Sequence, residues 1–317
     1  MGARIRPPFR SVRDLAKLMP EGVATRIDLT LASSTSSVAR WTASGELLHV
    51  HPGVVMLPRA AENPLARARA ATLWANGPLS HASALALWDV VAPSSGLLHV
   101  TVPADRNPRR TSGVVVHRTT VHLPTTRVRD VPVTSLDRSL VDTWDWAHRS
   151  RKGRRNGGEP MARQAVIECV RGRRIGVNAL RAASAALRVH AGKTALTRLL
   201  DLVEQGCESE LEIWGATHVL PGPPTVPSPV QQHSVRLGGG RWVRLDAAYP
   251  EALVAVELDG AAFHGSREAR ERDLRRDSAL AALGWVVLRF SYARLMADPE
   301  GCRREIEAVV LARLAAR

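Results

Sequence analysis

Lysine and cysteine are the scarce residues of this sequence. Only Lys17, Lys152 and Lys193 occur among 44 basic side chains, so almost all positive charge is arginine, and no lysine follows residue 193. Chemistry that needs a lysine in the C-terminal third is thereby excluded. The three cysteines, Cys169, Cys207 and Cys302, are odd in number and far apart. With no C-x-x-C pair they support neither a disulfide framework nor a zinc knuckle. No apolar run reaches the roughly 20 residues a membrane-spanning helix needs. The start, Met-Gly-Ala-Arg-Ile-Arg-Pro-Pro, lacks the apolar segment of a secretory signal. A reduced, cytoplasmic protein without a membrane partner is the expectation, and no tandem repeat is visible.

What the chain has in excess is positive charge, unevenly placed. The formal net charge is +14 over 317 residues. From Gly206 onward there are fourteen Arg against fifteen Asp and Glu, so the whole excess lies upstream. A positive field of this size favours nucleic acid through phosphate contact and counterion release. A GC-rich genome explains arginine over lysine, but explains the lopsided distribution less readily. An apolar content of 45% is ample for packed cores, and this length predicts two or three domains.

The most informative stretch is Asp246-Ala-Ala-Tyr-Pro-Glu-Ala-Leu-Val-Ala-Val-Glu257-Leu-Asp259-Gly-Ala-Ala-Phe-His264. It reads as a β-hairpin turned by Tyr-Pro-Glu-Ala. Alternation puts Trp242, Arg244 and Asp246 on one side of the first strand. Val254, Val256 and Leu258 face a core in the second, with Glu257 and Asp259 on the opposite face. A solvated sheet face would account for such acids. So would a hard-cation site, in which gathered carboxylate oxygens bind Mg²⁺ or Mn²⁺ and activate water for phosphodiester cleavage.

Upstream, Ser209-x-x-Glu212 opens a helix; Glu208 is placed one turn earlier on the same face. Downstream, a helix is expected over Arg267–Leu283, capped by Ser266 and stopped by Gly284. Its mixed charges are those of a solvated, ion-paired face, or of arginines that touch phosphate. Gly284-Trp-Val-Val-Leu-Arg-Phe290 follows as a strand, with Arg289 opposite its apolar face, available to a phosphate or an acid.

In order and spacing, these pieces from about Gly206 to the C-terminus resemble the PD-(D/E)XK nuclease superfamily, in particular the very-short-patch repair endonucleases and a related bacterial domain. The resemblance implies a restriction-endonuclease-like mixed sheet with flanking helices. It also implies a metal-dependent DNA endonuclease in which Asp246, Glu257, Asp259 and Glu212 hold Mg²⁺ or Mn²⁺. One departure matters: the superfamily's lysine position, two after the acid, holds Asp259. His264, at the spacing of the repair enzymes' histidine, is the candidate proton shuttle, since imidazole titrates near neutral pH.

The front of the chain reads as a winged helix. Ser11–Met19, Thr25–Ala32 and Ser36–Ser44 are helical, and a hairpin turns at His51-Pro52-Gly53. Such an arrangement lays the third helix in the major groove and presents Thr35, Ser36, Ser37 and Arg40; a three-helix unit without a DNA role is the alternative. With Gly77-Pro-Leu-Ser-His81-Ala-Ser83-Ala-Leu-Ala-Leu-Trp88, His99-Val-Thr-Val-Pro103 and Val131–Asp142, this region, about residues 10 to 146, resembles the N-terminal domain of AbiEi-type antitoxins. That implies a toxin or regulatory protein partner, and a second function in which the chain is a non-catalytic DNA-binding regulator with a degenerate nuclease fold. Ser80 is expected to cap a helix and His81 to be structural.

The whole is expected to be a multidomain α/β protein that acts on DNA. Residues 1–60 form the winged helix, 61–148 an antitoxin-like α/β region, 149–205 a basic linker and helices, and 206–317 the endonuclease-like domain.

Overall fold

The computed structural model describes residues 11–93, 96–149, 158–259 and 267–316. By internal contact the chain divides into two units, Met1–Lys193 and Thr194–Arg317.

In the first unit, short helices begin at hydroxyl caps. Ser11 caps α1 (Val12–Leu15), Thr25 caps α2 (Arg26–Ala32) and Ser34 caps α3 (Thr35–Ala43), each accepting a backbone N–H of the first turn. The expected first helix is shorter, because after Leu15 the chain tightens into a 3₁₀ turn, Ala16–Leu18. A strand that the sequence reading did not anticipate, β1 (Val23–Thr25), pairs with β3 (Val54–Met56), and β2 (Leu48–His51) completes a three-stranded antiparallel sheet in the order β1-β3-β2. Gly53 turns the β2–β3 hairpin at φ +80. α3 buries Val38 and Trp41 on Leu29, Leu47 and Val55, and leaves Thr35, Ser36 and Arg40 exposed with Ser37 half-buried.

Helix α4 (Pro64–Ala75) is alanine-rich and lies between two cores of this unit. Ala66 and Ala70 belong to the first core, and Ala68, Ala71 and Ala75 to the second. Small side chains on opposite helix faces let one helix pack closely on both sides. The second core gathers helix α5 (His81–Leu87), a parallel pair β4 (Leu98–Pro103) and β5 (Val114–Thr119), and an antiparallel pair β6 (Thr125–Val128) and β7 (Val131–Thr134). Helices α6 (Leu136–Arg149), α7 (Gly158–Arg171) and α8 (Val177–Ala186) follow, with Trp144 fully buried on α6. Ser80 stands at the N-cap of α5, but its hydroxyl makes no cap bond. It bonds to Nδ1 of His81 instead, at 2.8 Å.

The second unit begins within α9 (Lys193–Glu204), at Thr194, and continues with α10 (Glu210–His218). Its four-stranded mixed sheet has the order β11-β10-β9-β8, from β8 (Val230–Arg236), β9 (Trp242–Tyr249), β10 (Val254–Asp259) and β11 (Val286–Ser291). β8, β9 and β10 are antiparallel, and β11 joins β10 in parallel after the crossover helix α11 (Arg267–Ala282). Gly284, at φ +83, ends that crossover as expected. One sheet face packs Ala247, Tyr249, Val254, Val256 and Phe290 on residues of α12 (Tyr292–Ala297) and α13 (Pro299–Ala315). On the other, Ala248 and Ala255 meet Leu280 of α11. Helices therefore pack on both faces of the sheet, and Glu257 does not lie on a solvated face, one of the two alternatives the sequence left open.

Candidate active site

The site is built where α10, β9 and β10 converge. Ser209 and Glu212 form a reciprocal box at the start of α10. The Ser209 hydroxyl accepts the Glu212 N–H at 3.2 Å and donates to Glu212 Oε1 at 2.7 Å. Glu212 Oε2 also accepts from the Glu208 N–H at 2.9 Å and from Gln232 Nε2 at 2.7 Å. Because Ser209 caps the helix, Glu208 precedes α10 and does not share its face one turn before Glu212, the place expected for it. Its carboxylate pairs with Arg244 at 2.7 Å. Close approach of helix to strand is set by Gly215, where a Cβ would come within 2.4 Å of Leu258 Cδ1.

The β9–β10 ladder runs through Tyr249–Val254, Ala248–Ala255 and Ala247–Val256 and then stops. At the next position, Asp246, the carboxylate Oδ2 accepts the Leu258 N–H at 3.0 Å in place of a strand carbonyl. On the other side, Gln232 of β8 lies between the pairs Gln231–Ala247 and His233–Leu245, with a left-handed φ of +49. Irregular pairing of this kind re-aims a side chain out of the regular ladder. The strands open at the acid.

Glu257 is 5% exposed, the most shielded acid of the site, and Arg276 of α11 holds it at 2.6 Å. The same guanidinium donates to the Arg244 carbonyl at 2.7 Å. Burial first, then the negative field of Asp246, pushes the Glu257 carboxyl up to about 7 against the pull of Arg276 and Arg289. Burial likewise raises the Asp246 carboxyl; the Leu258 N–H opposes this, and the charges of Glu212 and Asp259 add to it. Arg276 thus faces two acids that repel each other, Glu257 buried and Asp246 half-buried.

Asp259, at the end of β10, stands 3.7 Å from Arg289, which is held more tightly by Asp277 of α11 at 2.9 Å. Arg289 is thus a clasp between strand and helix in this arrangement. Among the described residues, no three of these carboxylates offer oxygens that all lie within 4.8 Å of one another. Asp246 and Glu257 nevertheless suit a hard cation by the chemistry of their oxygen donors. Glu212 spends its oxygens on its own cap and on Gln232. His264 and Ser266 lie outside the described residues, as do the side chains of Arg267 and Arg270.

Two features of the second unit were not found from the sequence. Arg276 was one of five arginines on a helix of mixed charge, and only the fold selects it. Gln232 carried no signal at all. In the first unit a third feature was missed: His81, His99 and His117, 18 residues apart in each step, come together. The candidate DNA-contacting residues Thr35, Ser36, Ser37 and Arg40 also lie in that unit, on α3.

A restriction endonuclease-like family, REase_MTES_1575, matches residues 235–310. The match takes in β9, β10, α11 and β11, and with them Asp246, Glu257, Asp259, Arg276 and Arg289. The C-terminal region is therefore restriction-endonuclease-like, and a nuclease-type function with DNA as substrate is suggested. No curated protein matches the chain. No described helix is long and apolar enough to cross a membrane.

Proposed function

We propose that this protein is a metal-dependent DNA endonuclease of the cytoplasm, brought to DNA by its N-terminal part. The observation that carries the reading is the pair of mutually repelling carboxylates, buried Glu257 and half-buried Asp246, at the opened β9–β10 ladder within the matched region. Asp246 and Glu257 would hold Mg²⁺ or Mn²⁺, with Asp259 and Glu212 as the remaining acids of the set. Such an ion lowers the pKa of bound water and neutralises charge on a phosphate. Arg276 keeps Glu257 in place, and Arg289 fixes Asp259 against α11. His264 is assigned to carry the proton. At the front, β1, α2, α3 and the β2–β3 hairpin are read as a winged helix, with Thr35, Ser36, Ser37 and Arg40 turned to DNA.

The second reading is a non-catalytic regulator of antitoxin type with a protein partner. It is favoured by the missing lysine and by the arginine partners of Glu257 and Asp259. Purified protein incubated with linear, supercoiled, mismatched and single-stranded DNA in Mg²⁺, Mn²⁺ or EDTA separates the two. Cleavage that EDTA abolishes and Asp246→Asn eliminates is the expected result. Binding without cleavage on every DNA form selects the regulator.

A further inference from the structure

His81, His99 and His117 meet in the first unit, far along the sequence from every residue assigned to nuclease chemistry. β4 and β5 run parallel with His99 beside Val115 and Thr101 beside His117, so both histidines occupy one face, two residues out of step. His81 comes from the first position of α5. Each of the three offers a ring nitrogen within 4.8 Å of the other two. His99 Nδ1 and His117 Nε2 are 2.9 Å apart, and the His81 and His117 rings stack at 3.6 Å between centroids. Trp146 stands edge-on to all three at 5.1 to 6.4 Å. His81 and His99 are buried and His117 is half-buried.

Three further observations point to a ligand. His81 has a φ of +55, a conformation that a non-glycine residue holds only when its surroundings enforce it, and such residues gather at ligand clamps. Its Nδ1 is anchored by the Ser80 hydroxyl at 2.8 Å, which leaves Nε2 free; an outer partner of this kind orients metal-binding imidazoles. Thr101, next to His117 in the ladder and 2% exposed, has a hydroxyl with no hydrogen-bond partner.

We propose that His81, His99 and His117 form a binding site for a zinc-class transition metal ion, which ties the start of α5 to the β4–β5 pair. Three imidazoles suit Zn²⁺, Co²⁺, Ni²⁺ or Cu²⁺, not Mg²⁺. Nitrogens at about 2.0–2.1 Å from a tetrahedral zinc stand roughly 3.3 Å apart. The 2.9 Å contact between His99 and His117 therefore opens by a few tenths of an ångström as the ion enters. The proton shared in that contact moves to an outer ring nitrogen, so no proton need be released. A fourth position is left for water. A two-stranded parallel pair has little stability of its own, and a metal bridge would serve it as a staple.

The test uses the full chain, stripped with a chelator, loaded with Zn²⁺ and freed of excess ion by gel filtration. Wild type should retain a single equivalent of zinc and unfold at a higher temperature than the stripped protein. His117→Ala should lose that equivalent, while Asp246→Asn, altered in the other unit, should keep it. Should His117→Ala fail to fold, X-ray absorption of the zinc-loaded wild type still decides, since three imidazole ligands are required. Failure of wild type to retain zinc, equal retention by His117→Ala, or a ligand set without three imidazoles overturns the proposal.

Discussion

Replacing Glu257 with glutamine should make the C-terminal unit more stable above neutral pH while removing its capacity for metal. In the folded chain the Glu257 carboxyl is raised from an ordinary 4.5 to about 7. A group raised in this way adds stability that is complete below 4.5 and is lost as pH rises through 7. That gap corresponds to about 3 kcal/mol held against the folded state once the carboxylate is charged. Glutamine keeps the shape and removes the charge. It also gives up one of the two oxygens that face Arg276, which subtracts about 1 kcal/mol. The net expectation is a gain of about 2 kcal/mol at roughly pH 8.5, shrinking to zero or a small loss near pH 5. Calorimetry in EDTA, with the transitions of the two units resolved, measures it. Added Mg²⁺ should stabilise wild type and leave Glu257→Gln unmoved. A loss of stability in the variant at alkaline pH, or a difference that does not change with pH, refutes the reasoning.

Other perturbations bear on separate links. His264→Ala should leave Mg²⁺ affinity nearly intact by titration calorimetry and slow single-turnover cleavage on the order of 10²–10⁴-fold. Arg40→Ala on α3 should lower the slope of log binding constant against log salt by about 0.9, one phosphate contact, in fluorescence anisotropy with duplex DNA. Gly215→Val drives a side chain into Leu258 and should cost about 1–3 kcal/mol in the unfolding of the C-terminal unit. Ser209→Ala removes the cap that also holds Glu212, with an expected loss of about 1 kcal/mol by the same measurement.

The strands and helices of the C-terminal region were legible because their signals are local. Pro250 and its neighbours turn the chain, Val254, Val256 and Leu258 alternate, and Gly284 stops a helix, each by its own chemistry. The proximity of β9 and β10, and the position of Asp246 beside them, followed from a short hairpin. What alternation could not convey is what covers the far face. Glu257 looked like a solvated acid because α11 brings Arg276 and Leu280 over it from about twenty residues away. For the same reason Arg289 could be given either a phosphate or an acid, and only packing brings Asp277 to it. The histidine cluster had no local signal: its members sit on three different elements among eleven histidines in the chain, and only the parallel pairing of β4 and β5 sets two of them side by side.

The Leu258 amide donates its hydrogen bond to a side-chain oxygen of Asp246 and not to a strand carbonyl. Its environment therefore depends on the charge of that one carboxylate. In a nuclear magnetic resonance spectrum this amide should move with pH as Asp246 gains or loses its proton, and move again when a cation draws the carboxylate away. A single backbone resonance would then report the occupancy of the site directly, in protein too slow or too inactive for any assay of turnover.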